Sequence, residues 1–218
     1  MYYPNDHRSF TSPNRRLFVL GTGTISQPPD TVHIQLEVIT RNEQLDVAKQ
    51  ENDLRMNQVI RALLEFGVPR DQIQTTYFQL RPIYENKNGN LELVTYEVQN
   101  NITVRIKDLD QISQVITIAQ QAGANQIFNL QFSIENVDAY ERYALQKALE
   151  DALAKAQSIA NQMSLMLDPV PVTIKEEVAE QPIPFLKTSL TEYQSATPIE
   201  PGLIPISASV HVEFQFQS

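Results

Sequence analysis

Histidines come first, because an imidazole titrates near neutral pH and is the commonest metal ligand. The chain has three, His7, His33 and His211. His7 lies in a polar N-terminal stretch. His33 and His211 fall on the polar sides of alternating segments, where exposed histidines are expected, although the two could meet across a sheet. No His-Glu-x-x-His spacing occurs, and no His lies near an acidic cluster. Gly21-x-Gly23 lacks the third glycine and the lysine of a phosphate loop, and Pro28-Pro29 follow it. A turn between strands is expected there. Glu176 and Glu177 are neighbours, so on a strand they point to opposite faces and cannot act as a pair. Asp108 and Asp110 are expected to cap a helix. No Gly-x-Ser-x-Gly elbow is present. The reading is a non-enzymatic protein with no cofactor and no metal. Tyr2, Tyr3, Phe185 and Tyr193 are loop aromatics that could touch a partner.

Composition narrows the classes further. The 218 residues contain no Cys, which excludes a disulfide scaffold, a Cys-ligated zinc site, an iron–sulfur cluster and thiol catalysis. Acidic residues number 26 against 17 basic ones, for a net charge of -9. That balance argues against nucleic acid, whose phosphates need a basic face. The first apolar run, 17–20, is too short for an export signal or a spanning helix. A cytoplasmic location is therefore expected.

The chemistry-bearing residues need elements to position them, and hydropathy patterning supplies these. Residues 1–16, with Pro4 and Pro13, read as a disordered arm, followed by one domain over 17–218 or two intimately joined subdomains. A short strand at 17–20 enters Gly21. Val32, Ile34, Leu36 and Val38 alternate with polar residues as in a half-buried strand. From Leu45 to Phe66 apolar residues recur every three or four positions, with Asn52 the exception, and Gly67 and Pro69 stop the helix. A long hairpin follows, with arms at 77–84 and 93–107 joined by a loop at 86–90. A second helix runs from Leu109 to Gly123, and the next strand spans 128–134. This order is that of a split β-α-β unit, an antiparallel sheet with helices on one face.

A third helix starts at Asp138, with Glu141 placed as in a capping box. Along it Ala144, Ala148, Ala152, Ala156 and Ala160 recur every four residues. A ridge of alanines lets another element approach closely. It is either core packing or a contact between subunits. An edge strand is expected around 172–178, then a long loop at 179–202 with four prolines. Strict alternation from Ile206 to Gln217 marks a C-terminal strand. The fold class is thus α+β, a split β-α-β-like core followed by a long helix and C-terminal strands.

Several of these segments, taken in order, resemble the SIMPL-domain family. They are Val19-Leu20-Gly21-Thr22-Gly23 with Pro29-Asp30, Tyr96 to Asn100, Val104 to Asp110, Ala122 to Asn125, Phe132-Ser133, the alanine helix, and Pro201-Gly202 before the last strand. The resemblance covers about residues 17–217. It implies an α+β fold, self-association into ring-like or channel-like assemblies in some members, a loose link to stress and envelope biology, and no established enzyme activity. Many members carry a signal peptide and this sequence shows none. The leading expectation is a self-assembling homo-oligomer with a scaffold or stress-related role. Its interface candidates are Tyr84, Asn88, Gly89 and Leu93 on the hairpin, and Ala148, Ala152 and Ala156 on the ridge. The alternative is a module that binds a peptide or small ligand with the 179–202 loop.

Overall fold

The computed structural model describes residues 15–177 and 201–217. Almost all of the expected N-terminal arm and of the 179–202 loop, with Tyr2, Tyr3, His7, Phe185 and Tyr193, lies outside the described residues. The chain forms an α+β fold with two antiparallel sheets, divided into two compact units.

The first unit contains β1 (Arg16–Gln27), α3 (Asp138–Gln162), β6 (Thr173–Glu177) and β7 (Ile204–Gln215). Its sheet has the order β1-β7-β6. Ile206, Ala208, Val210, Val212 and Phe214 turn one face of β7 into core, as their alternation demands. The expected turn at Gly21-x-Gly23 is not found. Both glycines lie inside β1, a continuous strand of 12 residues. The reason is proximity. A Cβ on Gly21 would stand 2.1 Å from the Ala148 carbonyl oxygen, and one on Gly23 2.1 Å from that of Ala144. Strand and helix backbones are therefore in contact, and any side chain would separate them.

α3 also lacks the expected capping box. Val137 is its N-cap and makes no side-chain cap. The Val137 carbonyl accepts from the N–H groups of Tyr140 and Glu141 instead, and Asp138 is the first helical residue. Its acid still favours the positive end of the helix dipole.

The second unit contains β2 (Thr31–Asn42), α1 (Leu45–Phe66), β3 (Ile73–Lys87), β4 (Asn90–Ile106), α2 (Ile112–Gln121) and β5 (Gln126–Ser133). The sheet order is β3-β4-β2-β5, antiparallel throughout. Val32, Ile34, Leu36 and Val38 of β2 meet Met56, Val59 and Leu63 of α1 and Val115, Ile116 and Ala119 of α2 in one core. Asn52, the polar exception on α1, is fully buried and donates through Nδ2 to the carbonyls of Val38 (2.8 Å) and Val98 (3.1 Å). It fastens the helix to β2 and β4 by hydrogen bonds that a leucine could not make. Gly67 ends α1 at φ 108°, with the N–H of Val68 returning to the Leu63 carbonyl, the Schellman closure that a Gly after Phe66 announces. Before α2, Asp108 caps a short 3-10 turn by accepting from the Asp110 N–H.

Candidate assembly surface

The hairpin of β3 and β4 outgrows its sheet. β2 ends at Asn42, which pairs with Tyr96. Beyond that rung β4 has only β3 beside it, as far as Lys87 opposite Asn90. Asn88 and Gly89 close the turn with φ values of 56° and 88°. Two successive positive φ values make the two-residue turn that suits a twisted hairpin, and Asn-Gly is its preferred sequence. Asn86 steadies it by accepting from the Gly89 N–H at 2.9 Å. The loop expected at 86–90 is therefore shorter, and both arms are longer, than the sequence suggests. About five residues per strand project, or roughly 16 Å.

Register decides which side chains share a face. Phe78 lies opposite Asn100, Leu80 opposite Val98, Pro82 opposite Tyr96, Tyr84 opposite Leu93, and Asn86 opposite Leu91. This is the face that carries Ile102 and Val104 into the helical core. On the arm no helix follows, so the apolar row is left in water. Leu91 is 73% exposed, Tyr84 54% and Leu93 45%. A two-stranded ribbon has no interior in which to hide them. The reverse face carries Arg81, Ile83 with Thr95, and Glu85 directly across from Glu92. Of the candidate residues, Tyr84 and Leu93 thus form one cross-strand pair on the apolar stripe, and Asn88 and Gly89 are the turn.

The root of the arm is held by charge. Arg41, Glu97 and Arg81 occupy one row across β2, β4 and β3. Glu97 is 1% exposed. Its Oε2 accepts from Arg41 Nε at 2.7 Å, and its Oε1 from Arg81 Nε at 2.9 Å, Arg81 Nη2 at 2.7 Å and Gln99 Nε2 at 2.9 Å. Burial alone would raise this carboxyl, but hydrogen bonds and charge from the two guanidiniums outweigh it and hold it below the usual range. Glu37 has the opposite fate. Burial, reinforced by the nearby Glu97 charge, pushes its carboxyl up. This row was not found from sequence. Alternation placed Glu97 on a polar face, but only the register among three strands aligns residues 41, 81 and 97.

The ridge candidates lie elsewhere. Ala148, Ala152 and Ala156, with Ala144 and Ala160, are buried within their own unit, and Ala148 and Ala152 face Gly21 on β1. Of the two readings of the ridge, this geometry is core packing, and these alanines have no surface left for a second copy. The same helix seals the free edge of β1. Asp151 Oδ2 accepts from the Thr22 N–H at 2.8 Å, and Lys155 Nζ donates to the Leu20 carbonyl at 2.9 Å and to Asp151 at 2.6 Å. The Lys155 and Thr22 donors keep the Asp151 carboxyl below its usual value. Two side chains thereby occupy backbone groups that another strand could otherwise pair with.

The two strand histidines lie in different sheets, so they do not pair across one. His33 is on β2, where burial and Arg105 lower its pKa, and His211 is on β7 of the other sheet, 3.8 Å from Glu177. Among the described residues no group of three His, Asp or Glu could hold a metal.

A four-stranded antiparallel sheet with a projecting hairpin and, in the other unit, a three-stranded sheet with an alanine helix define an α+β protein. Residues 17–214 match the family SIMPL, described as a protein of unknown function (DUF541). The chain belongs to the SIMPL family. Among its relatives, the uncharacterized protein YggE of Escherichia coli K12 is 25% identical over 201 residues, covering 90% of this chain and 81% of that protein. The 26 kDa periplasmic immunogenic protein of Brucella melitensis is 26% identical over 227 residues, covering 99% of this chain and 90% of that protein. No helix among the described residues is long and apolar enough to cross a membrane.

Proposed function

We propose that the protein is a non-enzymatic, self-assembling scaffold whose copies associate through the β3–β4 arm. The observation that supports this most is an exposed apolar row on one face, Phe78 and Leu80 at the root and Tyr84, Leu93 and Leu91 on the projecting ribbon. The fixed root adds to it. A carboxylate clamped by two arginines holds the ribbon at a set angle to its sheet, which a contact element needs and a spare loop does not. The resemblance to a family with assembling members points the same way.

Light scattering across a concentration series tests this reading. The full chain should exceed the monomer mass and dissociate on dilution. A variant with residues 83–93 replaced by a two-residue turn should remain monomeric with unchanged circular dichroism. A full chain that stays monomeric at high concentration contradicts the proposal. The cytoplasmic location expected from sequence stands against the periplasmic name of the Brucella relative. Fractionating cells that express the untagged native gene separates the two, and recovery from the envelope fraction or the medium would overturn the cytoplasmic expectation.

A further inference from the structure

We infer that two copies pair arm on arm, apolar face against apolar face about a twofold axis, and not by adding strands edge to edge. This rests on the self-assembly reading above and specifies its contact.

Three features select face-to-face packing. The first is the sidedness of the ribbon. Tyr84 and Leu93 stand opposite each other in its middle, Leu91 lies near the turn, and Phe78 and Leu80 lie near the root, all on one face. In a twofold arrangement centred on Tyr84 and Leu93, the tip of each arm reaches the root of the other. Leu91 of one copy then covers Leu80 and Phe78 of its mate. The same surface patch serves both subunits, as a closed dimer contact requires.

The second feature is charge. Glu85 faces Glu92 across the reverse side, and among the described residues only Lys87 approaches Glu92, at 3.6 Å. Back-to-back packing would bring four carboxylates together, and like charges directly opposed are destabilising. With stripe against stripe, both acidic pairs remain in water.

The third feature is the state of the two margins. An edge-to-edge ladder needs an unbroken run of N–H and C=O groups. Pro82 interrupts β3 at the root of the arm, on the rung it shares with Tyr96, because it has no N–H. On β4 the register slips at Val94, which has no partner between Thr95 opposite Ile83 and Leu93 opposite Tyr84. A bulge twists the margin away from further pairing. Both margins are thus interrupted, β3 at the root and β4 inside the projecting segment, while the face is intact.

Size sets the expected behaviour. Five large side chains, each about half exposed, offer roughly 500 Å² per arm. Two arms then bury on the order of 1,000 Å², the lower end of specific interfaces. The pairing is accordingly reversible and concentration-dependent.

Absence of cysteine makes a clean test available, because every thiol introduced is the only one in the chain. Three full-length variants are treated with a short bismaleimide near neutral pH: Leu93→Cys on the stripe, Glu92→Cys on the reverse face, and Glu150→Cys on α3 as a collision control. Asn86→Cys lies on the stripe face without removing apolar surface; it gives up the hydrogen bond from the Gly89 N–H but leaves the Asn88-Gly89 turn, and so covers the case in which losing Leu93 weakens the contact. The expected result is a covalent dimer from Leu93→Cys or Asn86→Cys at several times the control yield, with Glu92→Cys at the control level. Equal dimer from both faces would overturn the face-to-face mode in favour of an edge contact. A dimer or larger mass by light scattering, with no cross-link from either stripe position, would overturn the arm pairing while leaving self-assembly standing. Monomer by both methods would overturn both.

Discussion

Two surfaces of this chain, the alanine ridge of α3 and the hairpin of β3 and β4, both invite a partner by their sequence, and among the described residues only the ridge is answered. The ridge meets Gly21 and Gly23, whose missing side chains let β1 lie directly on the helix. Among the described residues of its own unit, the arm's apolar face meets no helix. Its row of leucines and aromatics continues the pattern that forms core two rungs further along β4, but no helix extends over it. A small-residue ridge needs a partner backbone at very short range, which its own strand supplies. A row of large apolar side chains needs only another flat apolar surface, and a second copy of the same arm is one.

The largest expected effect comes from breaking the answered surface. Gly23→Val places a branched side chain where even a Cβ would lie 2.1 Å from the Ala144 carbonyl and 2.6 Å from the Ala148 nitrogen. These are backbone atoms and cannot swing away. Overpacking usually costs about 1–3 kcal/mol, and here the cost should exceed that range. Thermal unfolding should show a sharply lowered midpoint, independent of protein concentration. Full tolerance of the valine would mean that helix and strand are not in backbone contact.

A smaller effect is expected at the arm root. Glu97→Gln leaves Arg41 and Arg81 without their carboxylate and should destabilise by about 1–3 kcal/mol, reduced from the fully buried case because both arginines are half exposed to water. Its pH dependence has a definite sign. The folded Glu97 pKa is lowered, so its contribution is present above the unfolded carboxylate pKa and is lost as pH falls through the folded value. The gap between wild type and Glu97→Gln should therefore close in acid. Glu37 works in reverse. Its folded pKa is raised, so stability falls as pH rises through the window between the unfolded and folded values. Glu37→Gln should be neutral or slightly stabilising at pH 7, the smallest effect of the series. Urea midpoints across pH check both variants, and a Glu37→Gln loss as large as that of Glu97→Gln would refute the assignment of opposite roles.

Legibility from sequence followed the range of the interactions. α1 was readable from Leu45 to Phe66 because periodicity and the Gly67 stop are local. The Asn88-Gly89 turn was visible as a loop, although not as the two-residue turn that lengthens both strands. Gly21-x-Gly23 was misread as a turn because glycine signals both a bend and a close approach, and the element that approaches lies more than a hundred residues away. The ridge was legible as a contact, but its partner was not. Alternation puts Glu97 on the polar face of its strand, but the row it forms with Arg41 and Arg81 depends on register across three strands, which alternation cannot fix. Asp151 and Lys155 have the i,i+4 spacing of an ordinary surface pair, and nothing in that spacing marks them as a plug for the edge of β1.

Hydrogen exchange of the native chain at two concentrations tests the central contrast most directly, because it reads both surfaces in one sample. Arm amides between Tyr84 and Leu93 should gain protection as concentration rises, while amides of α3 between Ala144 and Ala160 stay equally protected at both. Arm exchange that does not change between a dilute and a concentrated sample, or ridge protection that rises with concentration, would contradict the assignment of the arm as the surface between copies and the ridge as the one within.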